Sequence, residues 1–214
     1  DHAVGFALAW TRGLIHFDRE VRKGRWDPGS AKLKRLADLR CGIVGFGRIG
    51  RATARKLAAF GCRVAAHDPM LKGESDGVAC IDLEGLLRQS DIVIVHAPLV
   101  PGTHHLIDRT RLALMPRGGL LINVSRGGVV DAEAVAEALQ SGRLSGAGLD
   151  VLESEPEVPQ ALLEQQGAML TPHVAFSSDA SLAELRRRAA EEVVRVLRGE
   201  APREPRNQPG QRSA

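Results

Sequence analysis

Three side chains suited to acid–base chemistry and carboxylate binding follow apolar runs in the second half of the chain. Arg126 lies in Asn-Val-Ser-Arg-Gly-Gly, where its guanidinium could bind a carboxylate or a carbonyl oxygen. His173 ends Thr-Pro-His, and an imidazole can donate or accept a proton near neutral pH. Glu155 could bond one ring nitrogen of His173 and so hold the imidazole in one tautomer. The alternatives are a surface arginine and a structural histidine.

A glycine-rich turn lies earlier in the chain, where residues 45–50 read Gly-Phe-Gly-Arg-Ile-Gly after a short apolar run. Gly45 would permit a tight turn, Gly47 would let the backbone approach a pyrophosphate, and Gly50 would let the next helix pack against the strand. The phosphates would lie at the helix N-terminus, where unpaired N–H groups favour anions. A purely structural glycine turn is the alternative.

An acidic residue stands where a dinucleotide site needs one. Asp68 follows the glycine turn at about the 20-residue offset of the acid that bonds the adenosine ribose hydroxyls. Proline and methionine come next, so no adjacent cation could take a 2′-phosphate, and NAD is favoured over NADP. An ordinary aspartate that starts a turn is the alternative.

The remaining histidines are interpreted as structural. His96, with Ala97 and Pro98, follows an apolar run and is expected to shape the floor of a cofactor pocket. His104 and His105 are adjacent, so their side chains should point in different directions unless the backbone turns. No acid lies at a spacing typical of a zinc site, and no metal is expected.

The elements that would position these residues alternate between short apolar runs and helical patterns from about residue 39. This alternation predicts an α/β fold, a doubly wound, Rossmann-like parallel sheet with helices on both faces. The predicted strands are residues 41–44, 63–67, 92–95, 120–124, 147–151 and 168–171. The predicted helices between them are residues 49–60, 83–89, 109–115 and 132–140.

The ends of the chain have different patterns. Residues 1–22 predict one amphipathic helix capped by Asp1, and its bulky stripe is either a dimer surface or a core-packing face; the stripe consists of Phe6, Trp10, Leu14 and Phe17. Residues 23–176 should form the dinucleotide-binding domain, beginning with a polar loop. Residues 177–200 should contain a closing helix at about 181–198, in which the Arg186 to Arg188 cluster is a solvated face. Residues 201–214 should be a flexible tail.

Composition excludes several classes of protein. The 214 residues are 43% hydrophobic and 26% charged, which is typical of a globular chain. Aromatic residues make up 3% and tyrosine is absent, which argues against single-stranded nucleic acids as partners. No apolar run is long enough for a membrane helix. The three cysteines suit a reducing compartment, so we expect a cytoplasmic protein with buried thiols.

Six short motifs occur in order along the chain, at residues 44–50, 67–69, 96–99, 123–128, 150–156 and 171–173. Together they resemble the NAD-binding domain of the D-isomer-specific 2-hydroxyacid dehydrogenase family. Residues 104–107 and 153–156 are most similar to the branch that contains phosphoglycerate dehydrogenases and the C-terminal-binding-protein corepressors. Family members carry a further N-terminal lobe, so the resemblance leads us to expect that most of a second, substrate domain is missing from this chain.

The resemblance implies NAD as cofactor and a small 2-hydroxy or 2-oxo acid, of the D-isomer, as substrate. Arg126 would hold the substrate carboxylate, His173 would give a proton to the developing alkoxide, and Glu155 would orient His173. Asp150 would lie by the nicotinamide carboxamide, and Thr103 near the phosphates or the cleft wall. The residues expected to contact the cofactor are Gly45, Gly47, Arg48, Ile49, Gly50, Asp68, His96, Ala97, Pro98, Thr103, Asn123, Val124, Ser125, Arg126, Asp150 and His173.

The resemblance also implies a homodimer. It leaves an alternative open, which is a non-catalytic, NAD-responsive dimeric binding module of the corepressor type. Because the absent lobe would supply the second wall of the cleft, Arg126, Glu155 and His173 could be present in this chain without turnover.

Overall fold

The computed structural model describes residues 1–205 and divides the chain into two compact units. The first unit runs from Asp1 to Ala175, and the second begins at Phe176. The predicted flexible tail lies largely outside the described residues, because only positions 201–205 of it are included.

The first unit is built on one eight-stranded sheet in the order β3-β4-β2-β1-β5-β6-β7-β8. All neighbouring strands are parallel except β3 and β4, which form an antiparallel pair at one edge. The strands are β1 Arg40–Val44, β2 Arg63–His67, β3 Gly73–Ser75, β4 Val78–Cys80, β5 Ile92–Val95, β6 Gly119–Asn123, β7 Leu144–Leu149 and β8 Ala168–Leu170. This architecture confirms the predicted doubly wound fold.

In the first unit, helices precede the sheet, connect its strands and pack on its faces. They are α1 His2–Thr11, α2 Leu14–Arg22, α3 Arg48–Ala59, α4 Leu83–Gln89, α5 Arg109–Leu112, α6 Ala132–Gln140 and α7 Gln160–Leu163, whereas α8 Asp179–Leu197 belongs to the second unit. Short 3₁₀ turns occur at Leu36–Asp38, Pro101–Thr103 and Gly127–Val129. Asp82, Asp108 and Asp131 accept backbone hydrogen bonds at the starts of α4, α5 and α6.

The central strands β1, β5 and β6 are apolar on both faces because a layer of helices covers each face. Ile43, Ile94 and Ile122 belong to the core on the side of α1 and α3. Val93 and Leu121 belong to the core on the other side, which α4, α5 and α6 cover. The strand ends that carry polar residues therefore extend from a sheet that is packed on both faces.

The leading segment differs from the prediction of a single helix. Gly13, with φ +59°, separates α1 from α2, so the four bulky residues do not share one stripe. Phe6 and Trp10 pack on β7 where glycines make room: a Cβ at Gly148 would lie 2.6 Å from the Phe6 ring, and one at Gly146 would lie 2.5 Å from the Trp10 ring. Asp1 occupies the N-cap position of α1 without a side-chain capping bond. Core packing is therefore the role of Phe6 and Trp10.

Two short strands and some boundaries differ from the sequence prediction. The β3–β4 pair was not predicted, because each strand has three residues and Cys80 is the one buried side chain in them. Strand β7 begins at Leu144, three residues before its predicted start at 147, and α5 ends at Leu112, three residues before its predicted end at 115. The other predicted helices and strands of this unit match within one or two residues.

The second unit is mainly α8, which begins with a capping box between Ser178 and Ser181. Arg187 forms an ion pair with Glu191, and Arg188 with Glu184, so the prediction of a solvated basic face is confirmed. None of the described α8 residues is buried.

Two further predictions concern the whole described chain. Within residues 1–205, no helix is both long enough and apolar enough to cross a membrane. The cysteines, Cys41, Cys62 and Cys80, are free and buried, and burial raises the pKa of each thiol.

Candidate active site

The glycine turn lies where the strand order reverses, between β1 and its neighbours β2 and β5. Ligands of open α/β sheets bind at this switch point, beyond the carboxyl ends of the strands. Gly45 has φ +92°, and a Cβ there would lie 2.7 Å from the backbone nitrogen of Ala97. A Cβ at Gly50 would overlap the carbonyl oxygen of Gly45. The turn therefore requires glycine at both positions for packing inside the protein.

Gly47 differs from these two glycines in a way that fits a dinucleotide. A Cβ on Gly47 would have no described atom within 4 Å, so protein packing does not require glycine there. Gly47 is also the N-cap of α3, and as a glycine it offers no side chain to cap that helix. A helix start without a capping side chain, beside a glycine whose Cβ position meets no described atom, fits a pyrophosphate. Arg48 and Ile49 form the first turn of α3, and Ile49 is exposed.

Asp68 follows the last residue of β2 and lies beside the turn. One oxygen of its carboxylate accepts a hydrogen bond from the backbone N–H of Phe46 at 3.0 Å, and the other accepts one from Met70 at 3.0 Å. An ionised carboxylate has about four acceptor positions, so these two bonds leave capacity for ribose hydroxyls. The predicted acid is therefore placed at the turn, and residues of the turn help to orient it.

The loop after β5 lies beside the glycine turn and forms one wall of the candidate site. The half-buried His96 lies against Gly45, and its Nε2 is 3.0 Å from the Thr53 hydroxyl on α3. Burial lowers the pKa of His96 to about 4. Ala97 is buried and Pro98 is exposed. Thr103 donates a hydrogen bond to the carbonyl oxygen of Pro98 at 2.6 Å, which closes this loop.

Asn123 ends β6 and shapes the loop that carries Arg126. Its fully buried side chain accepts hydrogen bonds from the backbone N–H and the hydroxyl of Ser125, at 3.1 and 2.8 Å. It also donates to the carbonyl oxygen of Arg126 at 3.0 Å. The half-buried Val124 packs against the core. Arg126 is exposed and reaches the Ser125 carbonyl oxygen at 2.7 Å.

The structure brings Glu155 and His173 together, as the sequence predicted. The Nδ1 atom of His173 lies 2.8 Å from Oε2 of Glu155. Oε1 of Glu155 accepts a hydrogen bond from the backbone N–H of Leu152 at 2.9 Å. Burial raises the pKa of Glu155, but the hydrogen bonds from His173 and Leu152 outweigh it, so the net pKa is lowered. The carboxylate that faces the imidazole is therefore ionised at neutral pH.

Asp150 positions the loop that carries His173, a role that the sequence did not indicate. Its buried carboxylate accepts hydrogen bonds from the Thr171 hydroxyl at 2.6 Å and from the backbone N–H groups of Val174 and Ala175, both at 2.9 Å. Its carbonyl oxygen accepts one from the backbone N–H of His173 at 2.8 Å. These bonds hold His173 at φ +53°, a conformation that non-glycine residues rarely adopt.

A histidine at the start of the chain joins this network. The Nε2 atom of His2 lies 2.9 Å from the Thr171 hydroxyl and 3.6 Å from the Asp150 carboxylate. Helix α1 therefore contacts the acid–base loop as well as the sheet. Neither the spacing nor the neighbours of His2 in the sequence could have revealed a contact across 169 residues.

The Arg126 loop and the Glu155 loop are packed together through their backbones. A Cβ on Gly127 would overlap the Leu152 backbone, so glycine is required at this contact. Since Leu152 also donates to Glu155, a continuous set of contacts joins the arginine loop to the acid–base pair.

For His104 and His105 the exception stated in the prediction applies. The backbone turns at His105, where φ is +46°, and the two rings stack with centroids 4.1 Å apart. Glu153 lies between them: its carboxylate oxygens are 3.0 Å from Nε2 of His104 and 2.8 Å from Nε2 of His105. The acid is distant in sequence and comes from the loop after β7.

Comparison with known proteins identifies the family. The model of the "D-isomer specific 2-hydroxyacid dehydrogenase, NAD binding domain" matches residues 4–175. The chain belongs to this family. It carries the family's NAD-binding domain, which confirms the predicted cofactor.

The similar proteins are named as enzymes. The chain is 38% identical over 210 residues to a glyoxylate reductase of Korarchaeum cryptofilum, covering 94% of this chain and 63% of that protein. It is 34% identical over 201 residues to a D-3-phosphoglycerate dehydrogenase of Methanocaldococcus jannaschii, covering 92% and 38%. The crystal structure of an Aquifex aeolicus D-lactate dehydrogenase with NAD and lactic acid matches with a TM-score of 0.84 at 31% identity, covering 93% and 66%.

Two consequences follow from these matches. This chain spans about two thirds of the length of the glyoxylate reductase and of the D-lactate dehydrogenase, and a smaller share of the D-3-phosphoglycerate dehydrogenase. Their names are all those of reductases or dehydrogenases, so they give no support to the non-catalytic alternative.

Proposed function

We propose that this chain supplies the cofactor site and the acid–base pair of an NAD-dependent oxidoreductase acting on a small 2-hydroxy or 2-oxo acid of the D-isomer series. The observation that carries the proposal is the 2.8 Å contact between Nδ1 of His173 and Glu155, at the same edge of the sheet as the glycine turn. The enzyme names of the similar proteins support the same reaction class.

The residues at this edge fit the roles that the reaction requires. When bound, the nicotinamide supplies or accepts the hydride at its C4 atom. Arg126 binds the substrate carboxylate and polarises the 2-oxo group. As C2 gains the hydride, His173 transfers its proton to the carbonyl oxygen, which becomes the hydroxyl of the product. Oxidation of the hydroxy acid runs the same steps in reverse.

Glu155 determines which imidazole nitrogen of His173 transfers the proton to the substrate. Its carboxylate engages Nδ1, so the proton that moves to the substrate is assigned to Nε2. The carboxylate also stabilises the imidazolium that exists before the transfer. Both side chains are about two fifths exposed, at 42% for His173 and 38% for Glu155, so a substrate can reach them from this face.

The cofactor residues are proposed to divide into three groups. Gly45 to Gly50 and Asp68 hold the pyrophosphate and the adenosine ribose. His96, Ala97, Pro98 and Thr103 form the wall after β5. Asn123 to Arg126, Asp150 and His173 surround the nicotinamide, with Asp150 acting through the backbone that it orders.

The test is the oxidation of NADH by the purified protein with glyoxylate, pyruvate and, as a control without a 2-oxo group, acetate. We expect NADH absorbance to fall with the 2-oxo acids alone, and the product to be the D-isomer where C2 is chiral. Binding of NADH without oxidation by any 2-oxo acid would favour either the non-catalytic module or a catalytic site that needs the rest of the substrate domain for turnover. Failure to bind NADH would contradict the interpretation of the glycine turn.

We further propose a homodimer that uses α2 and a location in the cytoplasm. Exposed apolar side chains on α2 support the dimer; they are Leu14, Ile15 and Val21. The three free thiols support a reducing compartment. Light scattering of the protein and of Leu14→Lys tests the assembly, which should shift toward monomer in the variant.

A further inference from the structure

A cluster of two histidines and one glutamate lies beside the proposed active site and takes no part in the reaction described above. Its members are His104 and His105, on the loop between β5 and α5, and Glu153, on the loop after β7. One potential ligand atom from each residue lies within 4.8 Å of the others. Two loops that are far apart in sequence therefore meet at three side chains that can bind metals.

The backbone around His105 is arranged so that both rings face the same way. Adjacent side chains in extended chain point to opposite sides. At His105 the chain takes φ +46°, in a region that non-glycine residues rarely adopt. A hydrogen bond from the His105 backbone N–H to the Gly128 carbonyl oxygen, at 2.8 Å, holds this turn. The consequence is the stacked pair of imidazoles.

The three groups match the ligands of a zinc-class cation. Neutral imidazole nitrogens suit zinc, copper and nickel, and a carboxylate oxygen is also a zinc ligand. With Zn–N distances of about 2.0–2.1 Å, tetrahedral ligand atoms lie about 3.4 Å apart. Nε2 of each histidine is already 2.8 to 3.0 Å from a Glu153 oxygen, so small side-chain rotations would open the required space.

We propose that His104, His105 and Glu153 form a binding site for a divalent transition-metal cation, with zinc as the best-suited ion and water completing the coordination. The side chains are 53%, 37% and 48% exposed, so an ion can reach them from solvent. The alternative is that Glu153 only accepts a hydrogen bond from each ring and holds the two loops together without a metal.

A bound ion would act as a cross-link next to the arginine loop. A Cβ on Gly128 would lie 3.6 Å from Oε1 of Glu153, and Gly128 follows Arg126 by two positions. The ion would join the loop after β5 to the loop after β7. It would so restrict the movement of the arginine loop, which lies between these two loops. The site is independent of hydride transfer, so it can be present or absent whatever reaction the protein catalyses.

The test is a calorimetric titration of the purified, untagged, chelator-treated protein with Zn²⁺, and with Mg²⁺ as the hard-cation comparison. His104→Gln, His105→Gln and Glu153→Gln remove one ligand each. His16→Gln is the matched control, because His16 lies on α2 and contacts Ser30. Circular dichroism of each variant in chelator verifies that it is folded. Co²⁺ absorbance in the parent protein and the variants reports the coordination geometry.

We expect one Zn²⁺ per chain, with affinity reduced about tenfold or more by each ligand variant, on the order of the losses caused when groups around a metal are removed. His16→Gln should bind like the parent protein, and Mg²⁺ should not compete. Unchanged zinc affinity in His104→Gln and Glu153→Gln would overturn the proposal. So would the absence of saturable zinc binding by the folded parent protein.

Discussion

The glycine turn after β1 and the acid–base loops after β7 and β8 all lie at the carboxyl ends of the parallel strands, but they are built differently. The turn is made within six consecutive residues, and its essential features are the positive φ of Gly45 and the missing Cβ at Gly50. The acid–base group joins Glu155 and His173, which are 18 residues apart, and depends on hydrogen bonds to Asp150.

The glycine turn and the acid–base loops also differ in which residues adopt a positive φ. Gly45 adopts a positive φ at little cost, because it has no Cβ. His173 and His105 adopt positive φ with full side chains, at φ +53° and +46°. Each is held by a backbone hydrogen bond from its own N–H group. At these two histidines the strained backbone sets the direction of a side chain that contacts a glutamate, whereas Asp76, with φ +51° between β3 and β4, shows that positive φ alone does not mark a site.

The largest expected effect is that of His173→Gln, which tests whether the acid–base group can be lost while the glycine turn still binds NADH. The substitution removes the proton donor but retains a polar side chain that can contact Glu155. We expect kcat for NADH oxidation to fall about 10²–10⁴-fold, which is the usual contribution of general acid catalysis. The dissociation constant for NADH should stay nearly unchanged, because the glycine turn is intact. Steady-state kinetics and fluorescence titration measure the two quantities.

Glu155→Gln is the companion variant, because it leaves His173 in place and removes the charge that orients it. Its kcat should fall less than that of His173→Gln, and the pH profile of kcat should change shape. His16→Gln, remote from both regions, should behave like the parent protein. If His173→Gln loses NADH binding as well as turnover, the two regions are not separable and His173 has been given the wrong role.

His96 follows β5, between the glycine turn and the acid–base loops in the strand order. Its titration should make the free energy of unfolding depend on pH. Its folded-state pKa is about 4, against about 6.5 when unfolded, because burial disfavours the charged ring. The unfolded chain therefore binds the proton more strongly. This group contributes stability that is fully present above pH 6.5 and is lost as pH falls toward 4, by about 3 kcal/mol in total.

The measurement is the free energy of unfolding by urea between pH 7 and pH 4 for the parent protein and His96→Gln. Other titrating groups affect both proteins alike, so the difference between the curves isolates His96. We expect the parent to lose more stability than the variant over this interval. Parallel curves would show that His96 titrates normally in the folded protein.

The difference between the two regions also explains which features could be read from the sequence. The glycine turn, Asp68 and the alternation of strands with helices are local patterns, so the fold and the cofactor turn were predictable. The Glu155–His173 contact was predictable as well, since both residues follow strands that end at one edge. Their catalytic roles stay predictions.

The features that were missed depend on tertiary contacts or on backbone dihedrals. Nothing in the spacing of His104 and His105 reveals the positive φ that stacks their rings, or that Glu153 lies between them. The role of Asp150 depends on backbone N–H groups of a loop that follows another strand. The split between α1 and α2 depends on the positive φ of Gly13, which the apolar stripe concealed.

The smallest expected effects come from two substitutions within the glycine turn, Gly50→Ala and Gly47→Ala. They are the most selective, because they distinguish a glycine required for packing from one expected to contact the cofactor. Gly50→Ala places a Cβ against the carbonyl oxygen of Gly45, so α3 must shift, and the free energy of unfolding should fall by about 1–3 kcal/mol. Gly47→Ala meets no described atom within 4 Å, and Gly47 has φ −76°, which alanine also adopts. Its stability should therefore stay within about 0.5 kcal/mol of the parent value.

NADH affinity should respond differently from stability in this pair. Gly47→Ala fills the open space where the pyrophosphate is expected, so it should weaken NADH binding while the protein remains as stable as the parent. Gly5→Ala is the control for a glycine in open space away from the turn, because a Cβ on Gly5 also meets no described atom within 4 Å. It should leave NADH affinity unchanged. Unaltered affinity in Gly47→Ala would mean that Gly47 has no contact with the cofactor, and the turn would then be glycine-rich for packing reasons alone.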